Sequence, residues 1–159
     1  MRAACVFLVG ILVGGVLQTA IGQSQNRGII GLNHVGITAP DMDAAVEFYS
    51  GTLGFPEAFR NLDDAGETRL VYMQISQNTF VELNRADGRP AGINHLGLHV
   101  EDVAAAAEMF RRAGAEVTEV RQSTTGAILA NVMDLHGVRI ELAQLPPESE
   151  HRKAMSRWR

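Results

Sequence analysis

The chain has 159 residues, 46% of them hydrophobic and 20% charged, with a formal net charge of −4. That balance suits one ordinary folded domain and excludes the basic surface that nucleic acid or anionic membranes demand. The single cysteine, Cys5, excludes an intrachain disulfide and leaves everything beyond the leader without a thiol nucleophile.

Met1-Arg2 precedes an uncharged run over residues 3–17, rich in Val, Leu, Ile and Gly; Ala20 and Gly22 follow, then the polar Gln23-Ser24-Gln25-Asn26-Arg27. A basic start, an apolar core and small residues two apart describe a secretory signal over residues 1–22. Cleavage is expected after Gly22, with Ala20 as second choice. The product is an exported protein, periplasmic or secreted, with no stable membrane association. The alternative is an uncleaved anchor, because the apolar run approaches the roughly 18–20 residues of a membrane helix. Its glycines and the small-x-small pair favour cleavage.

Beyond the leader, residues 33–38 read as a strand broken by Pro40. Asp41 is a plausible N-cap for an amphipathic helix over 42–50, ended by Gly51 and Gly54. Strands are expected at 55–61, 68–76 and 79–84, the last two forming a hairpin through Gln77-Asn78. Residues 85–90 link to a second set: a strand at 94–100, a helix at 103–113 stopped by Gly114, and strands at 115–121, 127–134 and 137–143. Pro146-Pro147 marks the end of the domain. The basic tail, 148–159, reads as a solvated extension or an arm over a partner subunit, the former being commoner for a terminus.

The two sets are copies. Gly31-Leu32-Asn33-His34-Val35-Gly36-Ile37 returns as Gly92-Ile93-Asn94-His95-Leu96-Gly97-Leu98, 61 residues further on. Each half closes on a strand with one glutamate, Glu82 or Glu141, 48 and 46 residues after its histidine. A fixed internal period decides the fold. It gives an α+β domain over 28–145, built from two tandem βαβββ modules (about 30–86 and about 91–145), with 146–159 as a tail.

Strand parity puts both glutamates and both histidines on the face turned away from the helices, with Thr38 beyond His34 and His99 beyond His95. Gly36 and Gly97 are expected to keep that face open for substrate or solvent. A lone histidine or glutamate on a strand is usually structural. Two matching pairs on one face are costly unless they hydrogen-bond, pair or hold a metal. Imidazole with carboxylate suits one divalent ion: Ni, Zn, Co, Mn or Fe.

With those residues in view, the chain resembles the vicinal oxygen chelate superfamily, which includes glyoxalase I. The segments are Leu32 to Ile37 with Pro40-Asp41-Met42, Phe48-Tyr49 through Gly54-Phe55, Asn94 to Leu98, and Asp134-Leu135-His136-Gly137 leading into Glu141, with Leu135 where the family has proline. The resemblance implies sheets curved into a half-open barrel around a divalent metal held by His34, Glu82, His95 and Glu141, commonly in a homodimer. It implies glyoxalase-like isomerase or lyase chemistry on a small dicarbonyl or keto substrate. A carboxylate, Glu141 first and Glu82 second, takes a proton and the metal stabilises the enediolate. His99, Thr38, Asn84 and Arg85 are candidate substrate contacts. Thr38 stands where bacterial glyoxalase I has a glutathione-gripping arginine, which argues against glutathione. The alternatives are an extradiol-type Fe(II) dioxygenase using His34, His95 and Glu141, an epimerase of the methylmalonyl type, and a non-catalytic ligand-binding protein of the bleomycin-resistance kind.

Overall fold

The computed structural model of the protein describes residues 28–159; the expected signal, its cleavage sites and Cys5 lie outside them. The first module opens on β1 (Ile29–Ala39), which stops before Pro40, a residue with no N–H for a further ladder bond. Asp41 caps α1 (Met42–Glu47), its carboxylate accepting from the Ala44 N–H at 2.9 Å. The helix widens into a π-turn, Phe48–Thr52, and the chain leaves through Gly54 at φ +73°, where a missing Cβ removes the penalty. β2 (Glu57–Leu62), β3 (Thr68–Ser76) and β4 (Thr79–Arg85) complete the module.

The second module repeats the order. β5 (Gly92–Val100) leads to α2 (Val103–Arg112), capped by Asp102 onto the Ala105 N–H, then to β6 (Arg121–Gln122), β7 (Ile128–Met133) and β8 (Arg139–Gln144). The strand expected over 115–121 shrinks to the two residues of β6 and an isolated bridge from Val117 to Val132. Side chains there replace part of the ladder. Arg111 donates to the Thr118 carbonyl at 2.7 Å, and Thr118 Oγ1 accepts from the Asn131 N–H at 2.8 Å.

All eight strands form one curled mixed sheet, a half-barrel, in the order β2-β3-β4-β1-β5-β8-β7-β6. The modules of one chain join edge to edge through antiparallel β1 and β5, and each last strand lies parallel beside its module's first. On the outer face Met42 packs with Val71, Met73, Val81 and Leu83, and Val103, Ala106 and Ala107 with Val100, Ala130, Val132 and Leu142. The concave face holds its own apolar group, including Phe59, Leu70, Tyr72, Phe80 and Leu129.

The tail is neither a solvated extension nor an arm reaching away. It forms α3 (Glu150–Arg157), N-capped by Ser149, and buries His151, Ala154 and Met155 against the concave face of its own chain. The spacing i, i+3, i+4 supplies the apolar stripe, and the aromatic rings it covers would otherwise face water. Among the described residues no helix is long and apolar enough to cross a membrane.

Strand register pairs each histidine with a glycine. His34 stands opposite Gly97 and His95 opposite Gly36; Gly36 lies beside Glu82 and Gly97 beside Glu141. A Cβ built on Gly36 would overlap the His95 imidazole, and one on Gly97 the His34 imidazole. The two glycines therefore make room for the other module's histidine, not for substrate as the strand pattern suggests. Gly36→Ala and Gly97→Ala should each cost about 1–3 kcal/mol in urea denaturation, the range for overpacking a filled site. A variant as stable as the parent would show that the rings do not rest on the glycines.

Candidate metal centre

Four side chains from four strands reach one point. His34 Nε2 lies 2.9 Å from His95 Nε2, 3.4 Å from Glu82 Oε2 and 3.5 Å from Glu141 Oε1, and His95 Nε2 lies 2.9 Å from Glu82 Oε2. Both histidines are 1% exposed, and Glu141 and Glu82 are buried at 5% and 7%. Glu82 Oε2 lies close to His95 Nε2, yet among the described residues this buried oxygen has no well-aligned hydrogen-bond donor. A buried anionic oxygen beside two facing imidazole nitrogens is a donor set that suits a cation.

The asparagine before each histidine orients it. Asn33 Nδ2 donates to the Asn78 carbonyl at 3.3 Å, which turns its Oδ1 toward His34 Nδ1 at 3.0 Å. A carbonyl only accepts, so the amide orientation is fixed, His34 carries its proton on Nδ1, and Nε2 presents a lone pair. In the second copy Asn94 Nδ2 donates to Thr38 Oγ1 at 2.9 Å and its Oδ1 faces His95 Nδ1. Here a second neighbour competes: Arg139 Nη2 lies 2.7 Å from the same nitrogen and 3.4 Å from Asn94 Oδ1. With Arg139 donating, the His95 proton sits on Nε2 and points at His34. With Asn94 accepting, Nε2 is free. The gap between the two Nε2 atoms therefore holds either the His95 N–H proton or a cation.

Electrostatics match a cation site. Burial lowers His34 to about 4, with Glu82 opposing and His95 and Arg139 assisting, so the ring is neutral near pH 7. Burial pushes the Glu82 carboxyl up, but contact with His95 and the other imidazoles outweighs it and leaves it at about 2. Burial and then the Glu82 charge raise Glu141. Two carboxylates at one point are thus pushed apart in acidity, the arrangement that separates an anionic ligand from an acid/base group. The residues fit a divalent ion bound by two neutral imidazoles and one or two carboxylates, with His34, His95 and Glu141 offering atoms within 4.8 Å of one another.

Above this centre lies a cavity of about 200 Å³, lined by Tyr72, Glu82, Asn84, His95, Glu141 and His151, and by the arginines Arg69, Arg121 and Arg139. Of the candidate substrate contacts, only Asn84 lines it. Thr38 is buried beneath Asn94 as a hydrogen-bond acceptor, because its hydroxyl is the partner that turns that amide. Arg85 is held away by Asp63 at 2.8 Å and Asp87 at 2.7 Å. His99 borders a separate hollow with Arg152 and Met155 of α3. Sequence reasoning misses His151, the three arginines and the role of both asparagines. The asparagines are visible in the repeat, and His151 in the stripe it shares with Ala154 and Met155.

Residues 31–142 match the Glyoxalase/Bleomycin resistance protein/Dioxygenase superfamily. The chain belongs to that superfamily. It is 31% identical over 131 residues to an ethylmalonyl-CoA/methylmalonyl-CoA epimerase of Cereibacter sphaeroides, covering 72% of this chain and 97% of that one. It is 28% identical over 149 residues to a 2-epi-5-epi-valiolone epimerase of an Actinomyces species, covering 75% and 81%. The structure resembles a methylmalonyl-CoA epimerase from Mycobacterium tuberculosis, with a TM-score of 0.68, 26% identity, and 76% and 91% of the two chains covered. These relatives of the superfamily member are epimerases.

The buried neutral rings make stability depend on pH. Unfolded histidines take up protons below about 6.5, whereas native His34 resists to about 4 and His151, buried among aromatic rings, to about 3. Unfolding therefore consumes protons in that window, and the metal-free protein loses stability as pH falls through it. His34 alone contributes on the order of 3 kcal/mol. Glu82 adds a further loss between about 4.5 and 2. Glu141, being raised, has the opposite sign above 4.5. Thermal unfolding of metal-free protein should show a midpoint falling steadily from pH 7 to pH 4; a flat profile would contradict neutral buried imidazoles.

Proposed function

We propose that the protein is a divalent-metal-dependent isomerase of the epimerase kind. It removes a proton from a carbon beside a carbonyl in a small carboxylate-bearing substrate and returns one. The observation that carries this reading is the pair of carboxylates, one from each module, that meet at one centre beside two histidines and line the same cavity. Glu141, raised and lining the cavity, is the stronger base and takes the proton; Glu82, held anionic across the centre, serves as a ligand. His34 and His95, with Glu82 and Glu141, are the residues that would hold the ion. When bound, such an ion supplies Lewis-acid stabilisation of the charge that develops as the C–H bond breaks.

Arg69, Arg121 and Arg139 give the cavity a cationic wall, and among the described residues neither Arg69 nor Arg121 has an acidic partner within 4.0 Å. That supports a substrate carrying a carboxylate, as the malonyl thioester in the name of the Cereibacter sphaeroides relative does. A glyoxalase-type reaction, with the proton returned to the neighbouring carbon, uses the same groups and differs in the substrate that reaches them. The dioxygenase reading draws support from the two-histidine, one-carboxylate set of His34, His95 and Glu141.

The protein is further proposed to be exported, with cleavage after Gly22, which mass determination of the mature N-terminus tests. A homodimer is likewise proposed, from the resemblance to the superfamily, and is tested by light scattering.

Proton exchange decides the chemistry. Metal-loaded protein in D2O should exchange the α-proton of 2-substituted malonyl thioesters, followed by proton NMR. Glu141→Gln should slow exchange by about 10²–10⁴-fold, the range for a lost general base. Glu82→Gln should lose both exchange and bound metal. No exchange above the metal-only control rejects the isomerase. Retention of iron and oxygen uptake with a catechol in Glu82→Gln would favour the dioxygenase instead.

A further inference from the structure

His151 lies beyond the family match, which ends at residue 142, and enters the site on α3. Its ring is 2% exposed, and its centroid lies 4.5 Å from that of Tyr72, 4.9 Å from Phe59, 5.7 Å from Phe80 and 6.2 Å from His34. Both ring nitrogens are buried, and among the described residues neither has a hydrogen-bond partner. The same ring lines the cavity with Glu82, His95 and Glu141. Burial keeps it neutral, so it carries one N–H and one lone pair.

A helix built only to cover aromatic rings would be served better by leucine or phenylalanine at this place, since an imidazole with two unmade hydrogen bonds destabilises the fold. Polar groups left unsatisfied in a native structure call for a partner, and the cavity this ring borders has room for one. Ser149 holds the ring's approach: its hydroxyl caps α3 and donates to the Pro146 carbonyl at 2.7 Å, and the Glu150 N–H donates to the Thr125 carbonyl at 2.9 Å.

We propose that His151 is a substrate-binding residue whose imidazole N–H donates to an oxygen of the bound carboxylate compound, and that α3 is therefore part of the site. The proposal rests on the reading of this cavity as the substrate site, though not on the isomerisation itself. It assigns the C-terminal helix a role in specificity that the two modules alone do not supply.

Binding is measured on the full chain, metal-loaded, with malonate, methylmalonate and oxalate as probes in isothermal titration. His151→Phe, which keeps a ring in the aromatic group, should weaken binding by about tenfold, the equivalent of one hydrogen bond, and should retain one equivalent of metal. His151→Asn, still a donor, should fall between His151→Phe and the parent, and serves if the phenylalanine variant fails to fold. In the parent labelled with ¹⁵N-histidine, the His151 ring nitrogens should shift when a probe binds. Unchanged affinity in both variants, or His151 resonances unmoved by every probe, overturns the proposal. A protein that binds malonate through His151 but exchanges no C–H proton keeps this inference and loses the isomerase. Exchange with His151 unmoved does the reverse.

Discussion

Two imidazole nitrogens held face to face at 2.9 Å repel each other unless something positive lies between them. The rest of the structure serves to hold them there. The antiparallel register of β1 and β5 sets each histidine opposite the other module's glycine, and the missing Cβ atoms let the two rings approach. Asn33 fixes one ring by its Nδ1 proton, and Asn94 competes with Arg139 for the other. Glu82 and Glu141 enter from the parallel strands on either side. The parts of the centre come equally from both modules, so neither half has a site by itself.

The same burial that makes this arrangement costly gives it chemical use. Desolvation keeps His34 neutral and therefore a ligand, and it raises Glu141 toward the range of a useful base. Glu82 remains anionic because the imidazoles crowd it. A low-dielectric centre with fixed charges strengthens each electrostatic interaction made inside it. The arginines stand at the cavity wall, where they attract a carboxylate, and only Arg139 touches a ligand directly.

Much of this is legible in the sequence because duplication repeats the signal. The Asn-His-x-Gly pattern, the paired glutamates and the two capped helices recur, and strand parity puts all four ligands on one face. What the pattern hides is contact between the copies. Gly36 and Gly97 read as open space within their own strands, whereas the overlap they avoid involves a residue 59 or 63 positions away in the partner module. Thr38 shares the ligand face yet serves Asn94, and Arg85 is drawn off by two aspartates, which face alone does not reveal. The tail reads as solvated because charged residues dominate its composition. Its buried stripe of three residues matters only once a concave aromatic surface exists to receive it.

The central claim is that His34, Glu82, His95 and Glu141 hold a single divalent ion. Anomalous diffraction at the absorption edge of the bound metal, from crystals of protein purified without chelator, tests it most directly. The account predicts one peak per chain at about 2.0–2.3 Å from both histidine Nε2 atoms and from at least one of the two carboxylates. A peak elsewhere, a site lacking either histidine, or no peak in protein reconstituted with excess metal would contradict it.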